Sequence, residues 1–198
     1  MPAGTKDMRA SRNVVKDNFD AHPDESQIIV IVIPEHNYTE RLVNVVKDLV
    51  DMDLDICYVS LNRPYNTLIS SFLKEGISIE NIHFVDAITK TAMTPPENEK
   101  CTYVSSPGAL TELSVAISNT IDTANFDYIV FDSLSTLLVY ESDATIAKFV
   151  HFLMAKVRVG GCNAIFTVLK QDADSILVKD INMFADKVVD MERWTFKA

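Results

Sequence analysis

The stretch that decides the fold is Asp127–Tyr140, which reads DYIVFDSLSTLLVY. Four apolar residues lead directly to Asp132, and this pattern predicts a buried strand that ends in a carboxylate. A carboxylate at the tip of such a strand can hold Mg²⁺ beside a phosphate. It can also cap the turn that follows the strand. The stretch therefore predicts a strand and leaves two roles open for Asp132.

Strands and helices are predicted to alternate through most of the chain. Continuous apolar runs such as IIVIVI at 28–33 are typical of strands that are buried on both faces. Six strands are predicted, at 27–33, 55–61, 82–86, 128–132, 162–169 and 187–191. Helices are predicted at 39–50, 65–75, 107–120, 143–159 and 176–184, and a polar loop at 87–106. The alternation predicts right-handed βαβ units in a three-layer, doubly wound α/β fold, with a mainly parallel sheet and helices on both faces.

The first 26 residues differ from the rest of the chain in composition. Residues 1–26 are polar and contain Pro2, Gly4 and Pro23, so we expect a flexible tail with at most a short helix around 14–19. Residues 27–198 are predicted to form a single α/β domain.

Charge and cysteine content limit the possible partners and location. The formal net charge is −10, and an acidic surface repels nucleic-acid phosphates and anionic lipids, so neither nucleic acid nor a membrane is expected as a partner. Cys57, Cys101 and Cys162 show no metal-ligand spacing and are predicted to be free thiols in a reducing, cytoplasmic compartment. The N-terminal residues show no apolar signal-peptide core, and no apolar run reaches the roughly 18 residues of a membrane helix.

Several longer stretches come in a characteristic order along the chain. They are ICYVSLNRPYNTLISSFLKEGISIENIHFVDA at 56–87, SSPGALTELSVAISNTI at 105–121, YIVFDSLSTLLVY at 128–140, GCNAIFTVLK at 161–170 and FADKVVDME at 184–192. In this order they resemble the KaiC-like branch of the RecA superfamily of P-loop ATPases, many of them archaeal, over about 27–192. The resemblance implies a RecA-like (P-loop NTPase-type) parallel sheet, ATP binding at the first strand–helix turn, and assembly into rings.

The first turn departs from the pattern that the resemblance implies. In such ATPases this turn, the Walker A motif, reads GxPGxGKT, and its backbone N–H groups and lysine hold the phosphates. Here Pro34 stands at the first glycine, Asn37 and Thr39 at the two later glycines, Glu40 at the lysine and Arg41 at the threonine. A glutamate in place of the lysine changes the attraction between that side chain and a phosphate into a repulsion. At ~4 Å and an effective dielectric constant near 20, this change is worth roughly 8 kcal/mol. The resemblance thus implies a degenerate Walker A motif.

The end of the second predicted strand departs from the family as well. KaiC-like ATPases commonly carry a pair of acidic residues there, one of which polarises the attacking water. This chain has Asn62 and Arg63 instead, so a general base is missing. Asp132, which resembles the Walker B carboxylate, and Ser133 are retained. Lys170 lies where the family often places a residue that reaches a neighbouring subunit's nucleotide, but we interpret it as a solvated lysine.

No catalytic residue is predicted, and no cofactor is expected. Asp132 is a metal ligand only if Mg²⁺ with ATP binds. The candidate ligand-binding residues all lie at the predicted carboxyl edge of the sheet. They are Glu35, His36, Asn37, Tyr38, Thr39, Arg41, Asn62, Arg63, Asp132 and Ser133.

Two functions of different classes follow from these observations. The first is a catalytically inactive RecA-like module, a pseudo-ATPase, that regulates or scaffolds by self-association or by pairing with an active KaiC/RecA-like ATPase. The second is a protein that binds a nucleotide or another small molecule in a rebuilt pocket at the same edge. The first function predicts no turnover of ATP, and the second predicts a ligand that is retained on purification.

Overall fold

The structure is a computed structural model that describes residues 26–193, and its centre is a seven-stranded parallel sheet. The strands are β1 (Ile28–Ile33), β2 (Ile56–Ser60), β3 (Ile82–Asp86), β4 (Cys101–Tyr103), β5 (Tyr128–Asp132), β6 (Asn163–Leu169) and β7 (Lys187–Asp190). Their order across the sheet is β4-β3-β2-β5-β6-β1-β7, and each neighbouring pair is parallel. Because all strands run the same way, the residues that follow them meet at one carboxyl edge.

Helices cover both faces of this sheet. They are α1 (Tyr38–Val50), α2 (Tyr65–Lys74), α3 (Thr89–Ala92), α4 (Leu110–Thr123), α5 (Leu134–Leu137), α6 (Asp143–Gly160) and α7 (Ile176–Asn182). Short 3₁₀ turns occupy Glu35–Asn37, Lys170–Asp172 and Met191–Arg193. The predicted three-layer α/β fold with helices on both faces is confirmed.

Strand β1 explains why the central strands are apolar throughout. Successive side chains of a strand point to opposite faces. Ile28 and Val30 pack in the core formed with α4, α6 and α7, whereas Ile29 and Ile31 pack in the core formed with α1 and α2. Both faces of β1 are therefore buried, as expected for a parallel sheet.

The predictions missed one strand and placed the start of one helix too early. The predicted polar loop at 87–106 contains β4, where Cys101–Tyr103 pair with Phe84–Asp86, so the sheet has seven strands where six were predicted. Three residues at the edge of a sheet are too few to show a periodic pattern. Helix α4 begins at Leu110 and not at 107, because two turns precede it, closed by Ala109 N–H to the Ser106 carbonyl at 3.1 Å and by Leu110 N–H to the Gly108 carbonyl at 2.9 Å. The other predicted elements lie within three residues of the observed ones.

The predictions for the N-terminal region lie mostly beyond what the structure describes. The tail predicted at 1–26, with its short helix around 14–19, falls outside the described residues except for Ser26. Between residues 26 and 193, no helix is both long enough and apolar enough to cross a membrane.

Candidate functional site at the carboxyl edge of the sheet

The Asp132 carboxylate is the centre of the carboxyl edge. Asp132 ends β5, the middle strand of the sheet between β2 and β6, and it is fully buried. Its Oδ1 accepts hydrogen bonds from the Tyr38 hydroxyl at 2.6 Å and from Asn62 Nδ2 at 2.9 Å. Its Oδ2 accepts one from the Tyr58 hydroxyl at 2.7 Å. A carboxylate offers about four acceptor positions, so most of its capacity is used inside the protein.

A positive charge accompanies this buried carboxylate. Arg63 Nη2 lies 3.9 Å from Asp132 Oδ2, which is close enough for an ion pair and too long for a hydrogen bond. The turn after β2 sets this position, because the buried Ser60 hydroxyl donates to the Arg63 carbonyl at 2.7 Å. The guanidinium group therefore offsets the charge of a carboxylate that would be costly to bury alone.

The two tyrosines act as hydrogen-bond donors to Asp132. Tyr58 lies in the middle of β2 and is fully buried, whereas Tyr38 is the first residue of α1 and is partly buried. Burial first, and then the charge of Asp132, raise the pKa of Tyr38 and the pKa of Tyr58 well above the usual value for a phenol. Both phenols therefore stay protonated, so each can donate its hydrogen to the carboxylate.

A second set of polar contacts surrounds this centre. The Tyr38 hydroxyl lies 2.7 Å from Thr167 Oγ1 on β6. Thr136 of α5 donates to the Asn62 amide oxygen, which directs the Asn62 amide nitrogen to Asp132. Ser133 joins the network indirectly, because its Oγ lies 3.2 Å from Thr136 Oγ1.

The first turn, between β1 and α1, closes on itself. Asn37 N–H donates to the Pro34 carbonyl at 3.4 Å, and Tyr38 N–H donates to the Glu35 carbonyl. The Glu35 carboxylate accepts a hydrogen bond from Gln171 N–H at 2.6 Å. Its own backbone N–H, and then that of Gln171, lower the pKa of Glu35. These N–H groups are used within the chain and do not form a cradle for an anion.

Two further cations near this edge, Arg41 and Lys170, contact groups at the end of β7. Arg41 donates from Nη1 to the Met191 carbonyl. Lys170 donates to Asp190 and lies 3.4 Å from Glu192. The hydrogen bond to Asp190 is the main cause of the raised pKa of Lys170. Both side chains therefore bind the end of β7.

Asp86, at the end of β3, is a second buried carboxylate with a structural role. It accepts hydrogen bonds from the backbone N–H groups of Tyr65 at 2.8 Å, Ile88 at 2.6 Å and Thr89 at 2.9 Å, and from the Thr89 hydroxyl. Asp86 thus binds the first residue of α2 and the turn that leads into α3. In the part of the chain that the structure describes, no group of three or more His, Cys, Asp or Glu side chains is placed to hold a metal ion.

A groove of about 420 Å³ lies beside the first turn. It is lined by Glu35, His36, Asn37, Tyr38, Thr39, Glu40, Val43 and Asn44, and by Ser71 and Glu75. His36, Thr39 and Glu40 are exposed. Tyr38 is the one lining residue that also donates a hydrogen bond to Asp132.

The structure brings some of the predicted site residues together and separates others. Tyr38, Asn62 and Arg63 all contact Asp132, whereas the remaining residues of the first turn line the groove and Arg41 binds near β7. Sequence reasoning missed Tyr58 and Thr167. Tyr58 in ICYVS looks like an ordinary core residue, but a threonine inside the buried run AIFTVL is a usable signal, because a buried hydroxyl needs a partner.

A sequence-family profile matches residues 58–191, and it is described as a family of unknown function, DUF7504. The chain belongs to the DUF7504 family. The matched range of this DUF7504 chain contains Tyr58, Asn62, Asp132 and Thr167, whereas the first turn and Tyr38 precede it. No curated protein matches the chain.

Solved structures support the fold of this DUF7504 protein. It is similar to the KaiC-like protein PH0186 from the hyperthermophilic archaeon Pyrococcus horikoshii OT3, with a TM-score of 0.61 and 15% sequence identity. The similarity covers 83% of this chain and 72% of that one. At this identity the likeness concerns the fold, and the expected RecA-like sheet is confirmed.

The residues at this edge do not fit a nucleotide with Mg²⁺. The Asp132 carboxylate is occupied by two phenols and an amide, and Arg63 lies 3.9 Å from Oδ2, where it would repel a metal ion bound at that oxygen. The N–H groups of Asn37 and Tyr38 are hydrogen-bonded within the first turn, and Glu40 adds a negative charge beside it.

Proposed function

We propose that this protein is a RecA-like domain that does not turn over ATP and acts as a regulatory or scaffold module by binding another protein. The observation that carries the proposal is the buried Asp132 carboxylate, which Tyr38, Tyr58 and Asn62 use as an internal hydrogen-bond acceptor. The partner is either a second copy of the chain or an active KaiC/RecA-like ATPase.

ATP hydrolysis on such a fold needs three groups, and each has a different role in this protein. The metal-binding carboxylate is hydrogen-bonded internally, and the phosphate-binding turn is a self-closed 3₁₀ turn. In place of a general base stand Asn62 and Arg63, and neither an amide nor a guanidinium group accepts a proton at neutral pH. The simultaneous loss of all three supports a role that depends on the surface of the protein.

The first experiment measures ATP binding and turnover together. Thermal unfolding and phosphate release are followed at 1 mM ATP–Mg for the wild type and for Asp132→Asn. Asp127→Asn, at the opposite end of β5, is the matched control. A site with a Kd of about 10 µM would stabilise the fold by about 2.7 kcal/mol at that concentration. We expect no such stabilisation and no phosphate release above the blank. Steady phosphate release that Asp132→Asn abolishes and Asp127→Asn retains would refute the proposal.

The second experiment concerns the partner. Light scattering after size exclusion reports self-association, and affinity capture from the native host reports a second protein. A protein that is monomeric at all concentrations and captures no RecA-like ATPase contradicts the proposed role. The free, buried cysteines support the proposed cytoplasmic location.

The groove beside the first turn favours a second candidate function. Its volume of about 420 Å³ lies within the usual range for small-molecule sites, and five of the predicted ligand-binding residues line it. Its lining contains three carboxylates and no lysine or arginine, which favours a cationic or hydrogen-bond-donating ligand over a phosphate. Mass spectrometry of the small molecules released on denaturation tests this candidate. If the protein releases no compound, that result counts against the candidate.

A further inference from the structure

We infer that the Tyr38 side chain is the barrier that separates Asp132 from divalent cations in the groove, and that the Glu40 side chain is not. This inference deepens the proposed function and rests on it. The resemblance to KaiC-like ATPases would assign the barrier to Glu40, which stands where those ATPases carry a lysine. The geometry points to Tyr38, two residues earlier.

The partners of Asp132 divide into two sides. Oδ2 is enclosed by Tyr58, which is fully buried in β2, and by the nearby Arg63. Oδ1 is covered by Tyr38 and Asn62. Of these four residues, Tyr38 alone lines the groove. A cation that enters the groove therefore meets the Tyr38 ring before it can reach Oδ1.

The charge of Glu40 acts in the opposite direction for a cation. Glu40 lines the groove and is exposed, and its carboxylate repels a phosphate but attracts a metal ion. Replacing Glu40 by lysine removes that attraction and leaves the Tyr38 ring in place. A substitution at Glu40 alone is thus not expected to open Asp132.

Removal of the Tyr38 side chain would expose oxygen atoms that suit a hard divalent cation. The Tyr38 hydroxyl lies 2.6 Å from Asp132 Oδ1 and 2.7 Å from Thr167 Oγ1, so its loss leaves these two oxygens facing one space. A carboxylate, a hydroxyl and water are suitable ligands for Mg²⁺ and Mn²⁺. That space would be continuous with the groove.

The test uses Mn²⁺ without nucleotide. Electron paramagnetic resonance measures the free Mn²⁺, and the bound Mn²⁺ is the difference between the total and the free ion. Five proteins are compared: the wild type, Asp132→Asn, Tyr38→Ala, Glu40→Lys and the double variant Tyr38→Ala/Asp132→Asn. We expect Tyr38→Ala to bind Mn²⁺ at least about tenfold more tightly than the wild type. We expect Glu40→Lys to gain no affinity and the double variant to lose the gain.

Circular dichroism establishes that each variant is folded. Tyr38→Leu, which removes the ring and hydroxyl but keeps an apolar side chain at the start of α1, replaces Tyr38→Ala if the latter does not fold, and a smaller gain in the same direction is expected. A folded Tyr38 variant without added Mn²⁺ affinity overturns the inference. So does Mn²⁺ binding to the wild type that depends on Asp132, or a gain of affinity in Glu40→Lys.

The two proposals can fail separately. Mn²⁺ bound at Asp132 in the wild type, with no ATP turnover, would reject the barrier and leave the inactive module standing. Phosphate release from ATP by the wild type, together with the expected Mn²⁺ results, would reject the inactive module and leave the barrier standing.

Discussion

Replacing Tyr38 by phenylalanine should destabilise the fold by about 2 kcal/mol. The change removes only the hydroxyl, which donates to the buried Asp132 carboxylate at 2.6 Å. A hydrogen bond to a charged group contributes roughly 1.5–3 kcal/mol. Asp132 keeps its bonds from Tyr58 and Asn62, so the carboxylate is not left without donors and the cost should lie in the middle of that range.

Urea unfolding followed by circular dichroism measures this change. The midpoint should fall while the slope stays constant, since a constant slope means that the exposed surface has not changed. Tyr140→Phe is the matched control, because the Tyr140 side chain is half exposed, and its effect should stay within about 0.5 kcal/mol. A Tyr38→Phe protein as stable as the control would refute a stabilising hydrogen bond from Tyr38 to Asp132.

Three further predictions follow from the buried polar groups. The pKa of Tyr38 in the folded protein lies above its ordinary value of 10.0, so the free energy of unfolding should fall as pH rises above about 10. In Tyr38→Phe this fall should be shallower by about 1.4 kcal/mol per pH unit. Urea titrations at several pH values measure the difference. Asp86→Asn should cost roughly 2–4 kcal/mol in urea unfolding, because its amide N–H₂ would face backbone donors, and a loss below about 1 kcal/mol would contradict the capping role. Burial raises the pKa of every cysteine thiol, to about 12 for Cys101. A thiol reagent at neutral pH should therefore label the protein only as fast as the protein unfolds. Rapid labelling of the native protein would contradict this prediction and show that a thiol is accessible. Besides Cys101, the thiols concerned are those of Cys57 and Cys162.

Much of the fold could be read from local patterns. Strands β3 and β5 begin and end at the predicted residues, because each is a short apolar run that stops at an aspartate. The end of α6 is marked by Gly161, whose positive φ of 71° is a conformation that glycine adopts at little cost. Strand β4 escaped prediction because its three residues become a strand only by pairing with β3.

The candidate site was predictable only in part. The sequence identified Asp132 at a strand end and predicted which other segments lie at the same edge, because parallel strands present their carboxyl ends together. It also singled out Tyr38, Asn62 and Arg63 by position. It did not identify their shared contact with Asp132.

By itself, the sequence determined the alternation of strands and helices and the lack of glycine and lysine in the first turn, since both are read from neighbours along the chain. Only the tertiary structure decided what Asp132 does. Its donors Tyr38 and Tyr58 are separated from it by 94 and 74 residues along the chain. They meet it because the sheet places β2 beside β5 and because α1 begins at the same carboxyl edge of the sheet. A buried carboxylate must find donors, and which groups provide them depends on the packing of distant segments.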